Sequence, residues 1–164
     1  MNKSALDIVS LWLAGDAETP PFEALTARKD VFEMTRQAQL AVLTPADGGA
    51  WSHALRAALA ARIAAANNNP YLANIYAKAA AGSPHAALAA VDYVPSELVE
   101  QKVVAFMDKV ANNTKAIAAE DISVLQQAGI ADADIVRLCE LNAFLAYQIR
   151  VAAGLASLIE GEQA

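Results

Sequence analysis

Hydrophobic residues recur three and four positions apart along nearly the whole chain, and no stretch alternates with the period of two that a half-buried strand requires. Leu6, Val9 and Leu13 share one face of a first helix within Met1–Ala14, and the paired prolines of Gly15–Lys29 follow as an irregular strap. A second helix is expected from Asp30, with Asp30 as cap and Glu33 as its reciprocal partner. Val31, Met34, Ala38, Ala41 and Val42 form its apolar stripe, and Thr44-Pro45 ends it because proline lacks the donor the helix needs. Asp47-Gly48-Gly49 is a turn, Ser52 caps a helix to about Ala66, and Asn69 with Pro70 starts the next, which ends near Gly82. Ser83-Pro84 opens a short helix to about Ala90. Ser96 caps another, with Val99, Val103, Phe106 and Val110 facing inward, and Asn112-Asn113 ends it. Ala119–Ala128 closes at Gly129, and Asp132 opens the longest helix, reaching about Ile159.

This last helix is apolar nearly all round: Ile135, Leu138, Leu145 and Ile149 lie on one side, and Leu141, Phe144, Val151 and Leu158 on others. Such a helix is either central to its domain or covered by another subunit. The expected fold is therefore all-α, a single-domain helical bundle of about seven helices over residues 1–164, with 1–29 as N-terminal helix and strap and 30–164 as core. At 164 residues one core is the economical reading.

Composition sharpens this picture. Hydrophobic residues make up 56% of the chain, but forty positions are alanine, which favours helix and close packing more than it adds burial. The net charge of −6 and the scattered basic residues provide no footprint for a phosphate backbone or an anionic membrane. The polar breaks within Met1–Ala14 favour an amphipathic helix over a signal peptide, and no stretch reads as the ~20 apolar residues of a membrane span. A soluble, cytoplasmic protein without nucleic-acid or membrane partners is expected. One cysteine, Cys139, excludes an intrachain disulfide and a dithiol redox pair.

Arg56–Tyr76, RAALAARIAAANNNPYLANIY, resembles the core motif of the alkylhydroperoxidase D-like and carboxymuconolactone decarboxylase superfamily. In that motif an arginine-glutamate pair opens one helix, and a Cys-Pro-Tyr-Cys-type box with a following histidine opens the next. Arg56, Arg62, Asn67, Pro70 and Tyr71 keep the family's look. The downstream DISVLQQAGIADADIVRLCELNAFLAYQIRVAAGL resembles its short helix, glycine turn and long terminal helix. The segment Asp30–Ala61, with VFEMT and AVLTPADGG, is similar to a branch that lacks the cysteine pair. The resemblance implies the alkylhydroperoxidase D-like helical core and assembly as dimers, trimers or hexamers.

Aligned without gaps, the family's glutamate falls on Ala57, its two cysteines on Asn69 and Leu72, and its histidine on Tyr76. A cysteine at a helix N-terminus reacts because the helix dipole favours its thiolate, and a second cysteine three residues on closes the disulfide. Asn69 keeps the cap but is no nucleophile, Leu72 cannot resolve a sulfenic acid, and Ala57 relays no proton. Tyrosine, with a pKa near 10, replaces histidine poorly at neutral pH.

The remaining reactive residues have ordinary readings. Cys139, mid-helix in an apolar stretch, reads as a small core residue, and His53 and His85 adjoin helix starts. Two histidines without clustered carboxylates give no metal site, and no cofactor is expected. Glu140, Tyr147, Arg137 and Arg150 read as ion pairs and hydrogen bonds at a subunit contact, with a polar lining for an acidic ligand as the alternative. The expected function is that of a redox-inactive homologue acting by binding, as a homo-oligomer, as partner of a cysteine-bearing homologue, or as a small-ligand module. The alternatives are a thiol-independent enzyme acting on a lactone or carboxylate through His53, Arg56, Tyr71 or Tyr76, and residual peroxidase activity through Cys139.

Overall fold

The computed structural model describes residues 5–162, and within them the chain is helical without strands. Seven α-helices occur in chain order: α1 (Ala5–Leu13), α2 (Lys29–Leu43), α3 (His53–Ala66), α4 (Pro70–Ala80), α5 (Leu98–Asn112), α6 (Ala119–Gln127) and α7 (Asp132–Glu162). Short 3₁₀ turns at Glu23–Arg28, Ala86–Ala89 and Thr114–Ala116 join them. The all-α expectation holds. Met1–Ser4, part of the expected first helix, lie outside the described residues.

The centre is α3, not the last helix. Every residue from Leu55 to Ala64 is buried, and five of those ten are alanine, so neighbours approach from all sides. Helix α4 packs most extensively on α3, with α5, α7 and the Ala86–Ala89 turn closing the remaining sides. Helix α1 lies along α7, where Val9, Trp12 and Leu13 meet Leu25, Ala152 and Ile159 in a second, smaller core. Trp12 and Phe32 rings, 4.4 Å apart, join that core to α2.

Helix α7 instead borders the core along one side, burying Leu138, Leu141, Leu145, Gln148 and Ala152, while Val136 and Leu158 are exposed. By length and composition it also reaches the level of a membrane-crossing helix, with mean hydropathy 1.2, which differs from the expectation that no stretch would. The excess has a packing cause: it feeds both cores at once.

Two buried arginines tie loops to α3. Arg62 holds Asp108 of α5 with Nε 2.8 Å from Oδ1 and donates to the carbonyls of Val91 and Tyr93 at 2.8 and 3.1 Å, fixing the segment before α5. Arg56 donates to the carbonyls of Val42, Gly48 and Trp51 at 2.8, 2.9 and 3.2 Å. Gly49 sits at φ +57, and a side chain there would run into Asp134 and Arg137.

Several local expectations are corrected. No side chain caps α2: Asp30 lies inside its first turn, after Arg28, where its charge still faces the positive end of the helix. Ser96 does not cap α5 either, since Glu97 holds that position without a side-chain bond. The stripe on α2 faces outward, with Met34 57% exposed, because the inward face carries Thr35 and Gln39. Thr35 bonds the Tyr147 hydroxyl at 2.9 Å, and Gln39 accepts from Gln148 Nε2 at 2.8 Å. Val99, expected inward on α5, is largely exposed, whereas Val103, Phe106, Val104 and Met107 are buried. The strap expected as irregular contains the Glu23–Arg28 turn.

Candidate functional site

The break between α3 and α4 takes the form the asparagines and proline demand. Asn68 adopts φ +58, a left-handed conformation that asparagine tolerates better than most residues. Asn69 then caps α4, its Oδ1 accepting the Leu72 N–H at 3.0 Å, with Pro70 at the first helical position. Its Nδ2 donates to Ser10 Oγ of α1 at 3.1 Å. Asn69 and Leu72 are both buried, so the two positions aligned with the family's cysteines are a helix cap and a core side chain.

The other two aligned positions meet open space. Ala57 and Tyr76 line a cavity of about 290 Å³ bounded by the end of α1, α2, the first turns of α3, and α4. Asp16, Gln39, Leu43 and His53 line it as well. The Tyr76 hydroxyl donates to Gln148 Oε1 at 2.6 Å, Gln148 Nε2 to Gln39 Oε1 at 2.8 Å, and Gln39 Nε2 to the Ala14 carbonyl at 3.0 Å. This relay joins three helices to the residue that follows α1 and reaches the cavity wall at both ends. Burial raises the Tyr76 pKa well above the ordinary phenol value and the Asp16 carboxylate adds to this, against the Gln148 hydrogen bond. Tyr76 is thus a neutral donor at any physiological pH and has no capacity as a base.

The four expected pocket residues separate. His53 and Tyr76 line the cavity; Arg56 and Tyr71 do not. Arg56 is buried and engaged by three carbonyls, and Tyr71 is half-buried on the first turn of α4. Burial, then neighbouring Arg137, lowers the Arg56 pKa, while Glu140, Asp134 and Asp47 oppose this and the guanidinium stays charged. His53 Nε2 lies 2.9 Å from the Pro45 carbonyl, which requires that nitrogen to carry the hydrogen. His85 pairs with Glu100 at 2.9 Å.

Arg137 bridges Asp134 of α7 and Asp47 of the loop before α3 at 3.0 and 3.1 Å, and Arg150 donates to the Ala146 carbonyl one turn earlier in α7. Cys139 is half-buried; burial, and then Glu140, raise its thiol pKa above the ordinary value, opposite to what a reactive cysteine needs. Among the described residues no three histidine, cysteine or carboxylate side chains gather as metal ligands.

Asp16, Gln39 and Gln148 were absent from the sequence-based candidates. Gln148 carried a usable signal: it occupies the inward position in the series Leu138, Leu141, Leu145, 148, Ala152. A fully buried amide there requires a partner. A second cavity of about 240 Å³ lies between the strap and α2, lined by Trp12, Glu18, Leu25, Lys29 and Arg36. It contains none of the aligned positions.

No protein-family model matches the chain, and no curated protein is detectably similar. Solved structures are. An uncharacterized peroxidase-related protein from Silicibacter sp. TM1040 superposes with a TM-score of 0.69 at 19% identity, over 78% of this chain and 69% of that one. A second, the alkylhydroperoxidase AhpD core of an uncharacterized peroxidase-related protein from Ralstonia eutropha JMP134, gives 0.63 at 22% identity, over 80% and 71%. The chain therefore has the alkylhydroperoxidase D-like helical fold.

Proposed function

We propose that this protein is a redox-inactive version of the fold that acts by binding a small molecule in the cavity beside Ala57 and Tyr76. One observation carries the reading: a cavity lies beside Ala57 and Tyr76, while Asn69 and Leu72, where the resemblance would place the cysteines, are a buried cap and a buried leucine. Cys139 supports it, since its environment disfavours the thiolate. Exposed Met34 and Leu40 on α2 and Leu98 on α5 fit assembly with further copies.

The test has two arms. Purified protein with a dithiol reductant should consume organic peroxide no faster than buffer, and Cys139→Ser should change nothing; turnover abolished by that substitution refutes redox inactivity. A small-molecule screen by thermal shift should return ligands whose effect is lost in Ala54→Leu, which places a larger side chain in the cavity wall.

The thiol-independent enzyme keeps one foothold, because His53 and Tyr76 line the same cavity. With Tyr76 neutral and donating to Gln148, the base of that reading would have to be His53, since Tyr76 cannot serve. Lactone hydrolysis lost in His53→Gln, with ligand binding retained, would establish that reading.

A further inference from the structure

Building on the small-molecule reading of this cavity, we infer that its ligand class is a small organic ammonium: an apolar body carrying one protonated amine. The argument is an inventory of what the wall still offers. The Tyr76 O–H is given to Gln148, one Gln39 N–H to Ala14, the Thr44 O–H to the Leu40 carbonyl at 3.3 Å, and the His53 Nε2–H to Pro45. What these groups have left is chiefly acceptor capacity: lone pairs on the Tyr76 and Thr44 oxygens and, in the neutral ring, His53 Nδ1. Gln39 alone keeps a side-chain N–H.

The permanent charge on the wall agrees with this. Asp16 is the one carboxylate lining the cavity, and no lysine or arginine lines it. Asp16 is exposed, and among the described residues no lysine, arginine or histidine forms an ion pair with it. Two helix C-termini also converge here, with Ala14 just beyond α1 and Leu43 and Thr44 at the end of α2. The ends of both helix dipoles carry partial negative charge, even where Gln39 and Arg56 already donate to the Ala14 and Val42 carbonyls. The N-terminal turn of α3 opposes them, but Ser52 already takes its Leu55 N–H at 3.1 Å. The rest of the wall is apolar, with Leu40, Leu43, Ala54, Ala57 and Ile75, and the volume holds on the order of ten heavy atoms. An acid, the substrate type of the lactone and carboxylate reading, would face the Asp16 carboxylate.

The test uses three probes of one shape: benzylammonium, benzyl alcohol and benzoate, titrated into the intact protein at pH 7 and followed by amide chemical shifts in two-dimensional NMR. Benzylammonium should shift the amides of Asp16, Gln39 and Ala57 and bind about fivefold tighter than the alcohol, as expected for one exposed ion pair. Benzoate should bind weakest. Asp16→Asn should remove the preference for the cation while leaving benzyl alcohol binding unchanged. Equal binding of all three, a preference for benzoate, or a cation preference surviving in Asp16→Asn overturns the ammonium assignment while the small-molecule cavity stands. If no probe moves those amides, the assignment and the small-molecule reading fall together.

Discussion

Arg56 Nη1 donates to the Val42 carbonyl at 2.8 Å, so the last turn of α2 hangs from the first turn of α3. The same guanidinium holds Gly48 and Trp51, closing the intervening loop on itself. Arg56→Met keeps much of the bulk but strands buried carbonyls. Each costs about 1–3 kcal/mol when left unpaired, partly recovered by water, so a net loss of about 3 kcal/mol is expected in urea unfolding. Arg56→Lys should fall between, because one ammonium cannot span the three acceptors.

Tyr76 makes stability depend on alkaline pH. Its pKa is raised on folding, so the unfolded chain releases that proton first, near pH 10. The contribution is complete below pH 10 and declines above it, at up to about 1.4 kcal/mol per pH unit. Tyr76→Phe should cost about 1–2 kcal/mol at pH 7, by depriving Gln148 of its donor, and should abolish that part of the alkaline decline. Chemical denaturation between pH 8 and 11 checks both.

Asn69 combines a cap with a tether to Ser10. Asn69→Ala should lower stability by about 2 kcal/mol, roughly half from the cap and half from the α1 contact. Ser10→Ala should cost about 1 kcal/mol, and the double variant should lose less than the sum, since the two share one bond.

Cys139 should label slowly. Its raised pKa leaves less thiolate at neutral pH than an ordinary cysteine has, so a disulfide reagent at pH 7.5 should react far more slowly with the folded than with the unfolded chain. The folded rate should climb as pH rises past the ordinary thiol range. Fast labelling at pH 7 would reopen the peroxidase alternative.

What was legible in the sequence was what local chemistry decides. Ser52, the Asn67–Pro70 break and Gly129 end or start helices through bonds within a few residues, and each stands where expected. The inward face of α2 was not legible, because its polar residues are buried by partners 109 and 112 residues away. Local periodicity assigned Met34 to the core, where the structure leaves it exposed, and gave no sign that Thr35 and Gln39 face inward. The site divides the same way. Ala57, Tyr76 and His53 follow from the α3–α4 pattern, whereas Asp16 and Gln39 reach the cavity only through the docking of α1 and α2. Arg56 was expected in a pocket because it keeps the family's look at the start of the motif; the structure instead gives it three carbonyl partners.

The Tyr76–Gln148–Gln39–Ala14 relay has a further consequence for a chain so rich in alanine. Smooth helices have many packings of nearly equal energy, and a slide of one helical turn, about 5.4 Å, would trade one alanine contact for another. The relay does not allow that slide: moving α7 by one turn would separate Gln148 from Gln39 and Tyr76 together and leave buried amide and hydroxyl groups without partners. Two glutamines and a tyrosine thus act as a detent, selecting one axial position for α7 against α2 and α4.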